Sequence, residues 1–276
     1  MSRYAVCLVA LILLTGSPSR AQSISSQYPL GAVRSKDGTT FVVDRKLPGV
    51  LKLVDGKLSV LTQGSKTFRT PLNAPRCIAL DKDGNVLVGD SATRDVYRID
   101  SGGKAKPLTG GKIGIPMAIA VNAAGELFIA DLELHRIFKV AAAGGDPEDF
   151  ATIAAPRGLA FDNDGNLLVL STTENQVFRV SPEGQKEILV PGRPFRFPHN
   201  LAAAADGSIF VTDSYGKCIW KISGDGKPEK LVSGDPLSNP VGLSMSGTTL
   251  LVVDSRANTV FECDLSGNLT KLLPAE

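Results

Sequence analysis

The stretch PHNLAAAADGSIFVTD, residues 198–213, admits two readings. Alanine has the highest helix propensity, so Ala202 to Ala205 on their own favour a helix. The proline in front, the Asp-Gly behind and the β-branched, aromatic run IFVTD favour two strands joined by a tight turn. The rest of the chain decides between them. Pro198 stands fifteen positions before Asp213, and the same step joins Pro29 to Asp44, Pro75 to Asp90, Pro116 to Asp131 and Pro156 to Ser171. Pro240 and Asp254 are one position closer. A glycine follows nine positions after the proline at Gly38, Gly84, Gly125, Gly165 and Gly207, and arrives two positions early as Gly247. Six positions after the aspartate stand Val50, Val96, Ile137, Val177, Ile219 and Val260, each followed by a large apolar residue: Leu51, Tyr97, Phe138, Phe178, Trp220 or Phe261.

The chain is therefore built from six units, approximately 29–74, 75–115, 116–155, 156–197, 198–239 and 240–276. Each parses as four short strands. The first follows the proline. The Gly turn, which needs φ > 0, reverses the chain into the second, as in LFIAD or IFVTD. The third alternates apolar and charged residues, as in IFKV and IWKI, and a weaker fourth falls near Leu61, Leu108, Phe150, Leu189, Leu231 and Leu272. Six four-stranded units of this period predict an all-β, six-bladed β-propeller. The alanines then have a reason. Four positions after the prolines stand Val33, Ala79, Ala120, Ala160, Ala202 and Ser244, where the inner strands converge on the axis and large side chains do not fit.

The N-terminus, MSRYAVCLVALILLTGSPSRA, has the form of a secretory signal peptide, with Arg3 ahead of an apolar run and small residues at Ser19 and Ala21. Cleavage after Ala21 is expected, leaving residues 22–276 as one propeller, secreted or periplasmic, with no membrane span. It removes Arg3 and Arg20 and no acid, so 30 basic and 28 acidic residues become 28 of each. A neutral, exported chain is not expected to bind nucleic acid. A monomer is expected. The three cysteines left, Cys77, Cys218 and Cys263, are an odd number and form no CxxC pair, so no disulfide framework is expected. Cys77 fills a small-residue slot and Cys263 a core slot; Cys218, at a loop end, is the thiol expected at the surface.

DLELHRIFKV, residues 131–140, resembles the NHL-repeat signature, and PRCIALDKDGNVLVGD and PRGLAFDNDGNLLVLS resemble its opening half. The resemblance spans all six units and implies a propeller fold. PHNLAAAADG is also partly similar to a pattern of lactonase-like six-bladed propellers. Propellers of these kinds include protein-binding scaffolds, RNA-binding modules and metal-dependent enzymes, so the fold leaves the function open.

The antiparallel layout puts the residues just after each proline and the loops after each second strand on one face. Arg76, Arg157 and His199 directly follow their prolines, and Asn200 interrupts an otherwise small row. The loops add Arg45, Arg94, His135, Tyr215, Lys217 and Arg256, and VPGRPFRF adds Arg193, Phe195 and Arg196. The ligand-binding candidates are Arg76, Arg157, His199, Asn200, Arg94, His135, Tyr215 and Arg256, forming a basic mouth for an anionic group. The recurring aspartates Asp44, Asp90, Asp131, Asp213 and Asp254 are expected to be structural, accepting hydrogen bonds from loop backbone; Asp81, Asn122 and Asp162 are expected to start turns. His135 reads as a loop-packing residue on its own.

Two functions fit. The first is a binding module for a small anionic ligand or a partner protein at the channel mouth. The second is a metal-dependent hydrolase or lyase with its site in the central channel. The blade openings at Leu30, Met117 and Val241 are apolar, which leaves His199 and Asn200, too few for a catalytic metal. With His135 the only other histidine, no three-His zinc site is available. No cofactor and no metal are expected. The ring closes either by the last unit's own fourth strand or by a strand added from Ser23 to Gln27.

Overall fold

The computed structural model describes residues 24–67, 69–224 and 226–273. The expected signal peptide, residues 1–21, lies outside them. The described residues form six four-stranded antiparallel sheets, each with its strands in chain order. These are the six blades. Their inner strands are Pro29–Arg34, Pro75–Leu80, Pro116–Val121, Pro156–Phe161, Pro198–Ala203 and Pro240–Ser246. No helix among the described residues is long and apolar enough to cross a membrane.

The alanine run divides between strand and turn. Ala202 and Ala203 end the inner strand of blade 5, and Ala204 closes the hairpin by donating its N–H to the Ser208 carbonyl at 2.9 Å. The repeat overrides local propensity because Ala202 is wedged, buried, among the cores of neighbouring blades.

The second strands (Thr40–Asp44, Val86–Asp90, Leu127–Asp131, Leu167–Ser171, Ile209–Asp213 and Thr249–Asp254) are buried almost throughout. Each has a blade against both of its faces, so VLVGD and LLVLS run apolar without alternation. The cores lie between blades: Ile119, Ile129 and Leu127 of blade 3 pack with Leu87 and Val96 of blade 2.

Five second strands end on a fully buried aspartate. Each carboxylate clasps two loops. Asp131 accepts N–H groups from Gly114 and Ile115 ahead of its blade's inner strand, and from Glu133 and Leu134 after the second strand, at 2.6–3.1 Å. Asp44, Asp90, Asp213 and Asp254 repeat the arrangement. In blade 4, Ser171 substitutes by accepting from the Thr173 N–H and donating to the Ala154 carbonyl. Asp81, Asp162 and Asn122 start hairpin turns on the opposite face, each accepting the N–H four residues on.

Blade 6 supplies all four of its own strands, ending with Leu269–Lys271, so residues 24–27 add none. Closure is blade against blade. Leu251, Val253 and Val260 pack with Ala32, Val42 and Leu51 of blade 1. Ser244 Oγ donates to the Ala32 carbonyl at 2.7 Å, and Arg34 pairs with Glu262.

Candidate functional site

The inner strands surround a cavity of about 660 Å³ along the axis. The predicted small row, Val33, Ala79, Ala120, Ala160, Ala202 and Ser244, lines it. Close backbone approach enforces smallness nearer the mouth. A Cβ on Gly31 would stand 2.9 Å from Ile78 Cγ2, and one on Gly242 would stand 2.6 Å from the Leu30 carbonyl oxygen. One on Gly158 would meet Asn200 Oδ1 at 2.9 Å, so Asn200 occupies the space that the neighbouring glycine leaves.

Every blade carries a β-bulge at this mouth. Pro75 pairs with Asp90 and Cys77 with Gly89, leaving Arg76 as the extra residue. The same register shift makes extra residues of Leu30, Met117, Arg157, His199 and Val241. A bulge re-aims the side chain it frees. Arg76, Arg157 and His199 thus leave the strand's alternation and line the mouth.

Arg76, Arg157, His199, Asn200, Tyr215 and Arg256 all line this one cavity, as does Arg45. Arg94 and His135 do not. Arg94 pairs with Glu133 at 3.0 Å. His135 Nδ1 accepts the Ala155 N–H at 3.1 Å. Both occupy one recurring loop position in left-handed backbone, φ 61° and 56°, shared with Lys217 and Asn258. That conformation turns their side chains to loop packing and pairing away from the axis. Cys218 also departs from expectation: it is fully buried, and burial followed by the nearby Asp213 pushes its thiol up to about 11. Phe195 is core, bracketed by both hydrogen bonds of the Gln176 amide.

The mouth is cationic: Arg76 Nε donates to Ser91 Oγ at 2.8 Å, and Asp90 behind it offsets part of its charge without pairing with it. Among the described residues, no aspartate or glutamate lines the cavity. Among the described residues, none of Arg45, Arg76, Arg157 and Arg256 forms an ion pair. Burial first, and then the neighbouring Arg45 charge, lowers the Arg76 pKa. Burial and then Arg76 lower that of Arg157. Arg157 Nε is buried with no hydrogen-bond partner, an exception to the rule that buried donors are satisfied. His199 is held neutral: burial, and then Arg157, push its pKa down to about 4.

One wall is aromatic. Phe197 stacks on Tyr215 with centroids 4.8 Å apart, and His199 meets Phe197 edge-on at 5.1 Å. The Arg157 guanidinium lies 4.8 Å from the Phe197 centroid. Sequence reasoning missed Phe197 and Tyr28, which both line the cavity. They hold the same place, one residue before the blade's proline, which is the signal that marks them.

The donor set does not fit a divalent cation. The lining offers one imidazole, two amides and no carboxylate among the four mouth arginines, and hard cations take carboxylate oxygens. No cluster of three His, Cys, Asp or Glu side chains of metal-holding geometry occurs among the described residues.

The sequence pattern of the Virginiamycin B lyase family matches residues 64–275. No match is found among curated proteins. Several solved structures share the fold. A streptogramin B lyase structure aligns with a TM-score of 0.70 at 17% identity, over 92% of this chain and 85% of that one. A structure of a nidogen/laminin complex aligns with a TM-score of 0.72 at 19% identity, over 83% and 91%. A gluconolactonase from Xanthomonas campestris aligns with a TM-score of 0.71 at 17% identity, over 84% of each chain. The first and third are a lyase and a lactonase, and the second is from a protein complex; at these identities they speak to the fold alone. The NHL-repeat resemblance is not what these comparisons bring forward.

Proposed function

Because the chain belongs to the Virginiamycin B lyase family, a propeller family that includes enzymes, we propose that its channel mouth is a ligand site and that the ligand is a small anion. The observation that carries the reading is that Arg45, Arg76, Arg157 and Arg256 line a cavity with no acid on its walls among the described residues. Guanidiniums in a structural role are paired or solvated. Two of these are partly buried against like charge, and a carboxylate or similar oxyanion compensates their desolvation and offsets the repulsion. We further propose that the protein acts outside the cytoplasm, secreted or periplasmic, on the strength of residues 1–21. Titration calorimetry with small carboxylates tests the site. Saturable binding that weakens with added salt, and weakens at least about tenfold in Arg157→Met, is expected. Equal binding by parent and variant overturns it.

A second reading, catalysis, is favoured by His199. Its imidazole stands beside the guanidiniums, and an anion bound among them offsets the Arg157 charge that pulls it down to about 4 in the empty site, raising its basicity toward that of a working general base. In an elimination, His199 takes the proton from the carbon next to the anionic group. The C–H electrons become a double bond as the C–O bond on the adjacent carbon breaks. The leaving oxygen departs with that bond pair and gains a proton from the imidazolium, and the arginines hold the charge that develops. Loss of turnover in His199→Gln with retained ligand affinity supports catalysis; binding without turnover in the parent leaves the binding module.

A further inference from the structure

The mouth is lopsided. Phe197, just ahead of blade 5, and Tyr215 of blade 5 supply its aromatic stack, and blades 1, 2, 4 and 6 supply Arg45, Arg76, Arg157 and Arg256. Arg157 joins the two halves: its guanidinium lies against Phe197 at 4.8 Å, it feels the charge of Arg76, and its own charge acts on His199. The stack runs outward from there. Phe197 and Tyr215 lie nearly parallel, 22° apart, and Tyr215 is 64% exposed. A tyrosine this exposed normally turns freely; here a neighbouring ring fixes its plane at the edge of a cavity. Large aromatic surface held rigid beside a cation is a common anchor for ligands, because its ordering cost is already met.

Resting on the anion-site reading, we propose that the ligand is an aromatic acid: a planar ring bearing a carboxylate. The carboxylate lies between Arg76 and Arg157. The ring lies against Tyr215 and His199. Arginine's planar fork matches a carboxylate and leaves the attached ring free to stack. The cavity, about 660 Å³, falls within the range of small-ligand sites and accommodates one or two fused rings. An aliphatic acid of the same size satisfies the arginines but gains no stacking.

Calorimetry on residues 22–276 with 2-naphthoate and its fully saturated counterpart tests this. The two acids have the same charge and carbon skeleton, but only naphthoate offers a flat π face. The parent is expected to bind naphthoate about tenfold more tightly, the stacking gain converted to affinity. Tyr215→Ala is expected to bring the two acids to the same affinity, and Tyr215→Phe to keep the preference. The ring is exposed, so these variants fold, and a melting curve verifies it. Equal affinities in the parent, or a preference that survives Tyr215→Ala, overturn the aromatic inference while the anion site stands. Binding of neither acid overturns the anion-site reading as well.

Discussion

His199 shows how one residue couples the chain's local geometry to its titration. It is freed from its strand by a bulge, set edge-on to Phe197 and placed near Arg157. Its pKa falls from 6.5 in an exposed chain to about 4 in the fold. Between those values the unfolded chain holds a proton that the folded one does not, so acid favours unfolding. The stability His199 contributes is complete above about pH 6.5 and is lost as the pH falls toward 4. The parent should therefore lose stability relative to His199→Gln between pH 7 and pH 4.5, as followed by urea unfolding. Parallel pH profiles for the two proteins contradict that placement. The deviation of His199 and Asn200 from their repeat was legible in the sequence. The bulge that directs His199 was not, because a bulge changes pairing register without changing the apolar pattern.

At the scale of the strand, the aspartate that ends each second strand does the organising. Asp131 gathers four backbone N–H groups from two loops, and those loops flank the mouth. Fully buried charge is tolerable only with its hydrogen bonds made. Asp131→Ala should destabilise the fold on the order of 3 kcal/mol, several charge-assisted bonds being lost at once. Chemical denaturation measures it, and a loss below about 1 kcal/mol would refute the clasp. This role was legible from recurrence, since a feature repeated in five blades serves the blade. The reach of Arg94 and His135 was not. Both sit on the correct face, but their left-handed backbone and their partners, Glu133 and the Ala155 N–H, are set by loop packing that spacing does not encode. Cys218 was misplaced for a similar reason: the end of a loop is not always at the surface, and the clasp around Asp213 covers it.

For the whole molecule, six copies of one unit close a ring, and closure puts six non-equivalent residues around one axis. Leu251 and Val253 of blade 6 pack on blade 1, so the first and last units share a core. The scaffold residues repeat; those at the mouth do not, and that contrast separates stability from function across the ring. The arginines are the sharpest case. Arg76 and Arg157 are partly buried and form no ion pair among the described residues; Arg45 opposes the charge of Arg76, and Arg76 that of Arg157. If they serve a ligand, the ligand-free fold gains little from them. The most direct measurement is thermal unfolding of the double variant Arg76→Met, Arg157→Met beside the parent, with and without millimolar 2-naphthoate. The free variant should melt at or above the parent, and the acid should raise the melting temperature of the parent alone. A variant that melts well below the parent, or that the acid still stabilises, would contradict an anion site at the channel mouth.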